Sequence, residues 1–187
     1  MKEFVIALLK KKIPPFYYYH NYEHTLYVMS KTVEIAQHEN CTAKETGLLN
    51  VAALWHDTGF IHVYENHEEE SCELAQKFLP GYGYAKEDID TICGMIMATK
   101  LPQSPKNKLE EIIVDADLEY LGTDEASLNA ENLFMEIQHI NPTLTRKKWD
   151  EAQILFLQHH HYYTTFCKKN REPAKLLYLN KLMNEAG

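Results

Sequence analysis

Glycine and proline are scarce in this sequence, seven of each in 187 residues. So few chain breakers argue against a turn-rich architecture, and with abundant Lys, Glu and Leu they favour an all-helical fold. Cysteine is sparse as well. Cys41, Cys72, Cys93 and Cys167 show neither CxxC spacing nor a disulfide-like framework, so they read as reduced thiols in a cytoplasmic protein. Long apolar runs are missing. Phe4 to Leu9 is too short to span a bilayer. Lys10-Lys11-Lys12 follows it in place of a small-residue cleavage site, which makes it a poor signal peptide. Basic residues are outnumbered, 19 Lys and Arg against 27 Asp and Glu, for a net charge of −8. That balance argues against broad binding to nucleic acid or to an anionic membrane. There is no glycine-rich phosphate loop, internal repeat or low-complexity segment.

What is present is helical periodicity. The length suits a single domain, 1–187, with a sizeable core. The pattern predicts about eight to nine helices. A first amphipathic helix ends at Pro14-Pro15. Tyr22, Leu26, Met29, Val33 and Ala36 recur at helical spacing within Tyr17–Asn40. Further helices are expected from Thr42 or Ala43 to Gly59, from His67 to Leu79, over Lys86–Ala98 and over Lys108–Leu121. Three more are expected from Asp124 or Ser127 to Ile140, over Thr143–Lys168 and over Arg171–Ala186. His159-His160-His161 falls within the eighth. Three consecutive histidines on a helix fan over roughly 200° and cannot share one ion.

The chain is organised around Leu48 to Gly59. An apolar run broken only by Asn50 ends in Trp55-His56-Asp57-Thr58-Gly59. Apolar residues on every side make this helix a central one. Gly59 is expected to close it in the left-handed conformation. An unpaired buried carboxylate is costly, so Asp57 needs a neutralising partner; a metal ion or a local hydrogen-bonded cap would each serve. His20 and His24, four apart, share a face at the start of the second helix, with Asn21 as its N-cap. On the sixth helix Asp117 has Ile113, Val114, Tyr120 and Leu121 as neighbours and points inward. Asp115, between Glu111 and Glu119, is expected at the surface or behind the site. Glu68-Glu69-Glu70 suits the positive end of a helix dipole and is expected to be solvated. Two histidines and two carboxylates make a mixed N/O set that suits Mn, Fe, Co, Ni or Zn better than Ca.

The ordered set His24, His56-Asp57 and Asp117 resembles the HD superfamily of metal-dependent phosphohydrolases. Three segments carry the likeness: Tyr19 to Thr25, Leu54 to Gly59 and Asp115 to Gly122. The resemblance covers residues 17–125 as the HD-like core, with the helices of 126–187 packing on it. It implies an all-α HD-domain-like helical bundle. It also implies one divalent metal ion (Mn, Fe, Co, Ni, Zn or Mg) held by His24, His56, Asp57 and Asp117. A metal-activated water would then attack a phosphate ester, commonly of a nucleotide. Asp57 would serve both as a ligand and as the catalytic group that orients or deprotonates the water. His20, His67, Lys100 and Lys106 are the candidates for contact with the substrate phosphate.

The pattern also departs from richer family members. Two-metal members carry extra histidines after the His-Asp pair; here His67 stands where the first would be, and Ala98-Thr99-Lys100 supplies no other. That departure also sets aside the di-iron oxygenases on the same fold. No Gly-Tyr-Pro follows the pair, which sets aside the cyclic-di-GMP-cleaving subgroup. The expected partner is a small phosphorylated substrate, a nucleotide first, with a homodimer left open. Two other functions compete. A catalytically silent regulatory module would use the same site to hold a metal and a nucleotide. A zinc protease would use His20-Asn21-Tyr22-Glu23-His24, which matches H-x-x-E-H, with Glu23 as its base.

Overall fold

The computed structural model describes residues 1–186, and among them every regular element is a helix. The α-helices are α1 Lys2–Lys12, α2 Tyr22–His38, α3 Ala43–Trp55, α4 His67–Phe78, α5 Lys86–Ala98, α6 Lys108–Asp117, α7 Ala126–Ile140, α8 Arg146–His159, α9 Thr165–Asn170 and α10 Glu172–Ala186. The all-helical expectation holds. No helix among the described residues is long and apolar enough to cross a membrane. The chain divides into two compact units. One comprises Met1–Pro14 and His20–Asp117; the other comprises Pro15–Tyr19 and Leu118–Gly187.

In the first unit α3 is the central element, packed by α1, α2, α4, α5 and α6. Leu48, Leu49 and every residue from Val51 to Trp55 are buried. A Leu or Trp so enclosed contributes about 2–3 kcal/mol of burial free energy. Trp55 is wholly enclosed and stacks on Phe78, ring centroids 5.9 Å apart. Two local devices fix where the site-bearing helices begin. Asn21 Oδ1 accepts from the backbone N–H of Glu23 at 2.8 Å and of His24 at 3.3 Å, which starts α2. Thr42 and Glu45 form a reciprocal capping box that starts α3.

Two expected helices are interrupted. The sixth stops at Asp117, and after Leu118 a short 3-10 turn runs Glu119–Gly122. The eighth stops at His159, where His160 takes an extended backbone, φ −69° and ψ 135°. The physical cause lies in the second unit itself. Tyr162 is buried and donates its hydroxyl to the carbonyls of Leu118 and Glu119, at 3.1 and 3.2 Å. Thr164 then caps α9, accepting from the N–H of Cys167 at 3.2 Å. Each anchor outweighs continuation of the helix. The expected row of three histidines on one helix is therefore corrected: His159 ends α8, and His160 and His161 follow it in extended chain.

The second unit is tied by buried charge. Glu119 is fully enclosed and pairs with Arg171. Lys175, 1% exposed, reaches Glu172 at 2.8 Å and His160 Nδ1 at 3.3 Å. Gly122 packs against the backbone of Arg171, where a Cβ would stand 2.4 Å from its carbonyl oxygen.

Candidate metal centre

The centre is assembled from three helix ends of the first unit. His24 is carried by the first turn of α2. His56 and Asp57 follow the last residue of α3. Asp117 is the last residue of α6. Helix termini are where the backbone can turn side chains inward without breaking a ladder. Thr58 secures the turn after α3, its hydroxyl donating to the Trp55 carbonyl at 2.8 Å.

Four side chains converge. His24 Nε2 is 3.0 Å from Asp117 Oδ1 and 3.5 Å from Asp57 Oδ2. His56 Nε2 is 3.2 Å from Asp57 Oδ2 and 3.6 Å from Asp117 Oδ1. One ligand atom from each of His24, His56 and Asp117 lies within 4.8 Å of the others. His56 Nδ1 donates to the carbonyl of Ala53 at 2.8 Å, so in the neutral ring Nε2 carries the lone pair. That Nε2 and Asp57 Oδ2 are both buried and both without a hydrogen-bond partner.

The electrostatics are those of two buried carboxylates set against two imidazoles. Burial works to raise the pKa of Asp57, yet the charge of His56, with that of His24 beside it, holds it below the usual carboxylate range. Burial likewise works against ionised Asp117, and the hydrogen bond from His24 with the charge of His56 holds its pKa down. Burial opposes a charged His56, but Asp57 and Asp117 outweigh it and push its pKa well above the ordinary value. Two anionic oxygens thus demand positive charge between them. A divalent ion supplies that charge without protonating the imidazoles, and two imidazoles with two carboxylates are an apt donor set for one.

Asp57 faces a second group through its other oxygen. Oδ1 is 3.5 Å from His67 Nε2, which is 3.4 Å from Glu68 Oε1. His67 Nδ1 donates to the Tyr64 carbonyl at 3.4 Å. Burial depresses the His67 pKa in spite of Asp57 and Glu68. The His67 ring stacks on buried Phe60, centroids 3.8 Å apart. His20 lies on the same ring at 4.3 Å, with its own centroid 6.1 Å from His67 and 6.2 Å from His24.

His20 and His67 therefore adjoin the four central residues. Lys100 follows the end of α5 and reaches across to the start of α4, donating to Asn66 Oδ1 at 3.0 Å and pairing with Glu69. Lys106 lies on the loop before α6, its backbone N–H bonded to Glu110 at 2.6 Å. No contact among the described residues brings its side chain to the centre.

Several expectations are corrected. Gly59 is not left-handed; it sits in a 3-10 turn, Thr58–Ile61. Its value is closeness: a Cβ there would stand 2.0 Å from the His67 carbonyl oxygen, so the missing side chain lets α4 bring His67 against α3. Of the two places expected for Asp115, its burial, 1% exposed, excludes the surface and leaves the place behind the site. Glu68 is buried rather than solvated. A signal existed: Glu68, Ser71, Cys72 and Ala75 share the buried stripe of α4 at helical spacing. Glu23, by contrast, is exposed and bonded to the Tyr22 hydroxyl at 3.0 Å, which removes the geometric basis for a protease with Glu23 as its base.

The comparisons agree with this geometry. The HD domain family matches residues 21–119, more than half of the chain. Two solved structures share the fold. One is a predicted HD superfamily hydrolase from an uncultured Thermotogales bacterium, 19% identical with a TM-score of 0.63, covering 99% of this chain and 92% of that one. The other is Bacillus subtilis YpgQ in complex with ADP, 15% identical with a TM-score of 0.66, covering 99% of this chain and 97% of that one. No curated protein sequence matches the chain.

Proposed function

The chain belongs to the HD domain family, and from that premise we propose that it is a metal-dependent phosphohydrolase cleaving a phosphate ester of a small substrate, with nucleotides as the first class. The observation that carries this reading is the convergence of His56 Nε2 and Asp57 Oδ2, both buried and unbonded, with His24 and Asp117. Those four residues would hold one divalent ion. Such an ion lowers the pKa of water from 15.7 to about 7 and polarises a phosphoryl oxygen.

The chain's own residues divide the remaining work. Asp57 keeps Oδ2 within the ligand set and turns Oδ1 towards His67. It is thereby placed to orient the attacking water and to take its proton. His67 Nε2, neutral because burial depresses its pKa, can accept that proton in turn beside Glu68. The rings of His20, Phe60 and His67 form an aromatic wall beside the acid cluster. That wall excludes water and offers a face to a nucleobase. Lys100, just beyond α5 and paired with Glu69, would supply positive charge for a phosphate. The ADP bound by YpgQ supports nucleotides as the class to test first.

The test is phosphate and pyrophosphate release from nucleotides and simple phosphoesters. Metal-stripped protein receives Mn, Co, Ni, Fe, Zn or Mg in turn, with Asp57→Asn as the blank. Metal-dependent turnover that vanishes in the variant is the expected result. No turnover with any metal or substrate, despite a bound ion and bound nucleotide, would favour the silent regulatory module.

A further inference from the structure

Cys72 on α4 and Cys93 on α5 face each other behind the centre. Cys72 Sγ reaches the Cys93 carbonyl at 3.5 Å, and Cys93 Sγ reaches the Cys72 carbonyl at 3.8 Å. Such reciprocal reach needs the two backbones side by side, the arrangement an interhelical disulfide requires. Each cysteine is 8% exposed, so the pair lies near the surface of the core without being sealed within it. Of the other cysteines, Cys41 is half-buried and Cys167 fully enclosed.

We propose that Cys72 and Cys93 form a redox modification site that closes to a disulfide on reaction with a hydroperoxide. The geometry assigns the roles. The Cys72 thiol has the nearer acceptor, the Cys93 carbonyl at 3.5 Å, while the Cys93 thiol reaches its own acceptor only at 3.8 Å. Cys93 holds its proton less firmly and is the attacking sulfur, since the thiolate is the nucleophile. Its thiolate takes the terminal oxygen of the peroxide; the O–O bond breaks, an alcohol or water leaves, and Cys93 becomes a sulfenic acid. Cys72 sulfur then attacks that sulfur. The S–S bond forms, the S–O bond breaks, and the hydroxyl leaves as water with the Cys72 proton. The peroxide is reduced by two electrons and the two thiols supply them. The closed bridge ties α4, which carries His67 and Glu68, to α5, which leads to Lys100.

The experiment uses the full reduced chain, one equivalent of hydrogen peroxide, differential alkylation and peptide mapping. The expected product is lighter by two hydrogen atoms, contains a Cys72–Cys93 linked peptide and returns to the free thiols with dithiothreitol. Cys72→Ser should leave a sulfenic acid at Cys93 that dimedone labels, and Cys93→Ser should abolish the link. The proposal fails if Cys72 and Cys93 remain alkylatable while Cys41 is oxidised. It fails equally if either proceeds to sulfinic acid with no link formed. The mapping on the unsubstituted protein decides the question even where a variant does not fold.

Discussion

His56 donates its Nδ1–H to the carbonyl of Ala53, 2.8 Å away, so that the neutral ring turns the lone pair of Nε2 to the acidic cluster. One backbone bond inside α3 selects the tautomer that can bind a cation. An ion binding only the folded protein stabilises it by mass action, about 2.7 kcal/mol at one hundred times its Kd. For a chain of this length that is a rise in Tm of roughly 5–10 °C. Differential scanning calorimetry of metal-stripped protein with and without added ion should show it. His56→Ala and Asp57→Asn should each lose the rise, with affinity down on the order of a hundredfold or more.

Glu23 separates the hydrolase from the protease reading. It is exposed at the start of α2 while His24 beside it turns into the centre. Glu23→Gln should retain phosphohydrolase turnover within about twofold and bind metal like the parent. Steady-state kinetics with metal content measured in parallel checks it; loss of all activity would revive a catalytic Glu23.

Gly59 tests the packing of α4 on the 3-10 turn that follows α3. With a Cβ placed 2.0 Å from the His67 carbonyl oxygen, Gly59→Ala must push backbone rather than a flexible side chain. A loss of about 3 kcal/mol is expected in urea unfolding, at the upper end of overpacking costs. Because the displaced residue is His67, turnover should fall more than metal binding.

His160 sets a pH dependence away from the centre. Burial, then the charges of Lys175 and His161, depress its pKa to about 3. The unfolded chain therefore binds more protons than the folded one between about pH 6.5 and 3. Stability from this group is present above that window and is lost as pH falls through it, on the order of a few kcal/mol in all. His160→Gln should flatten the slope of unfolding free energy against pH there.

The four central residues were legible because each sits at a helix position with apolar neighbours. His24, His56, Asp57 and Asp117 all announce a polar group directed at a core. The surface alternative for Asp115 fails for a definite reason. Glu119, its neighbour on a continuous helix, lies beyond the end of α6 at Asp117. Glu119 itself lies in the 3-10 turn and is buried against Arg171, 52 residues away. No periodicity reveals a partner at that separation. Glu68 was hidden by its company, three glutamates at a helix start being the ordinary mark of a solvated, dipole-matched turn. The break after His159 depends on Tyr162 reaching the carbonyls of Leu118 and Glu119, again a contact distant in sequence.

The most direct test of the central claim is a titration of metal-free protein with one ion type, following bound metal and phosphoester turnover together. Turnover should rise in proportion to occupancy, saturate at one ion per chain, and be absent from Asp57→Asn at every metal concentration. Full turnover by the metal-free protein, or by Asp57→Asn, would contradict the account.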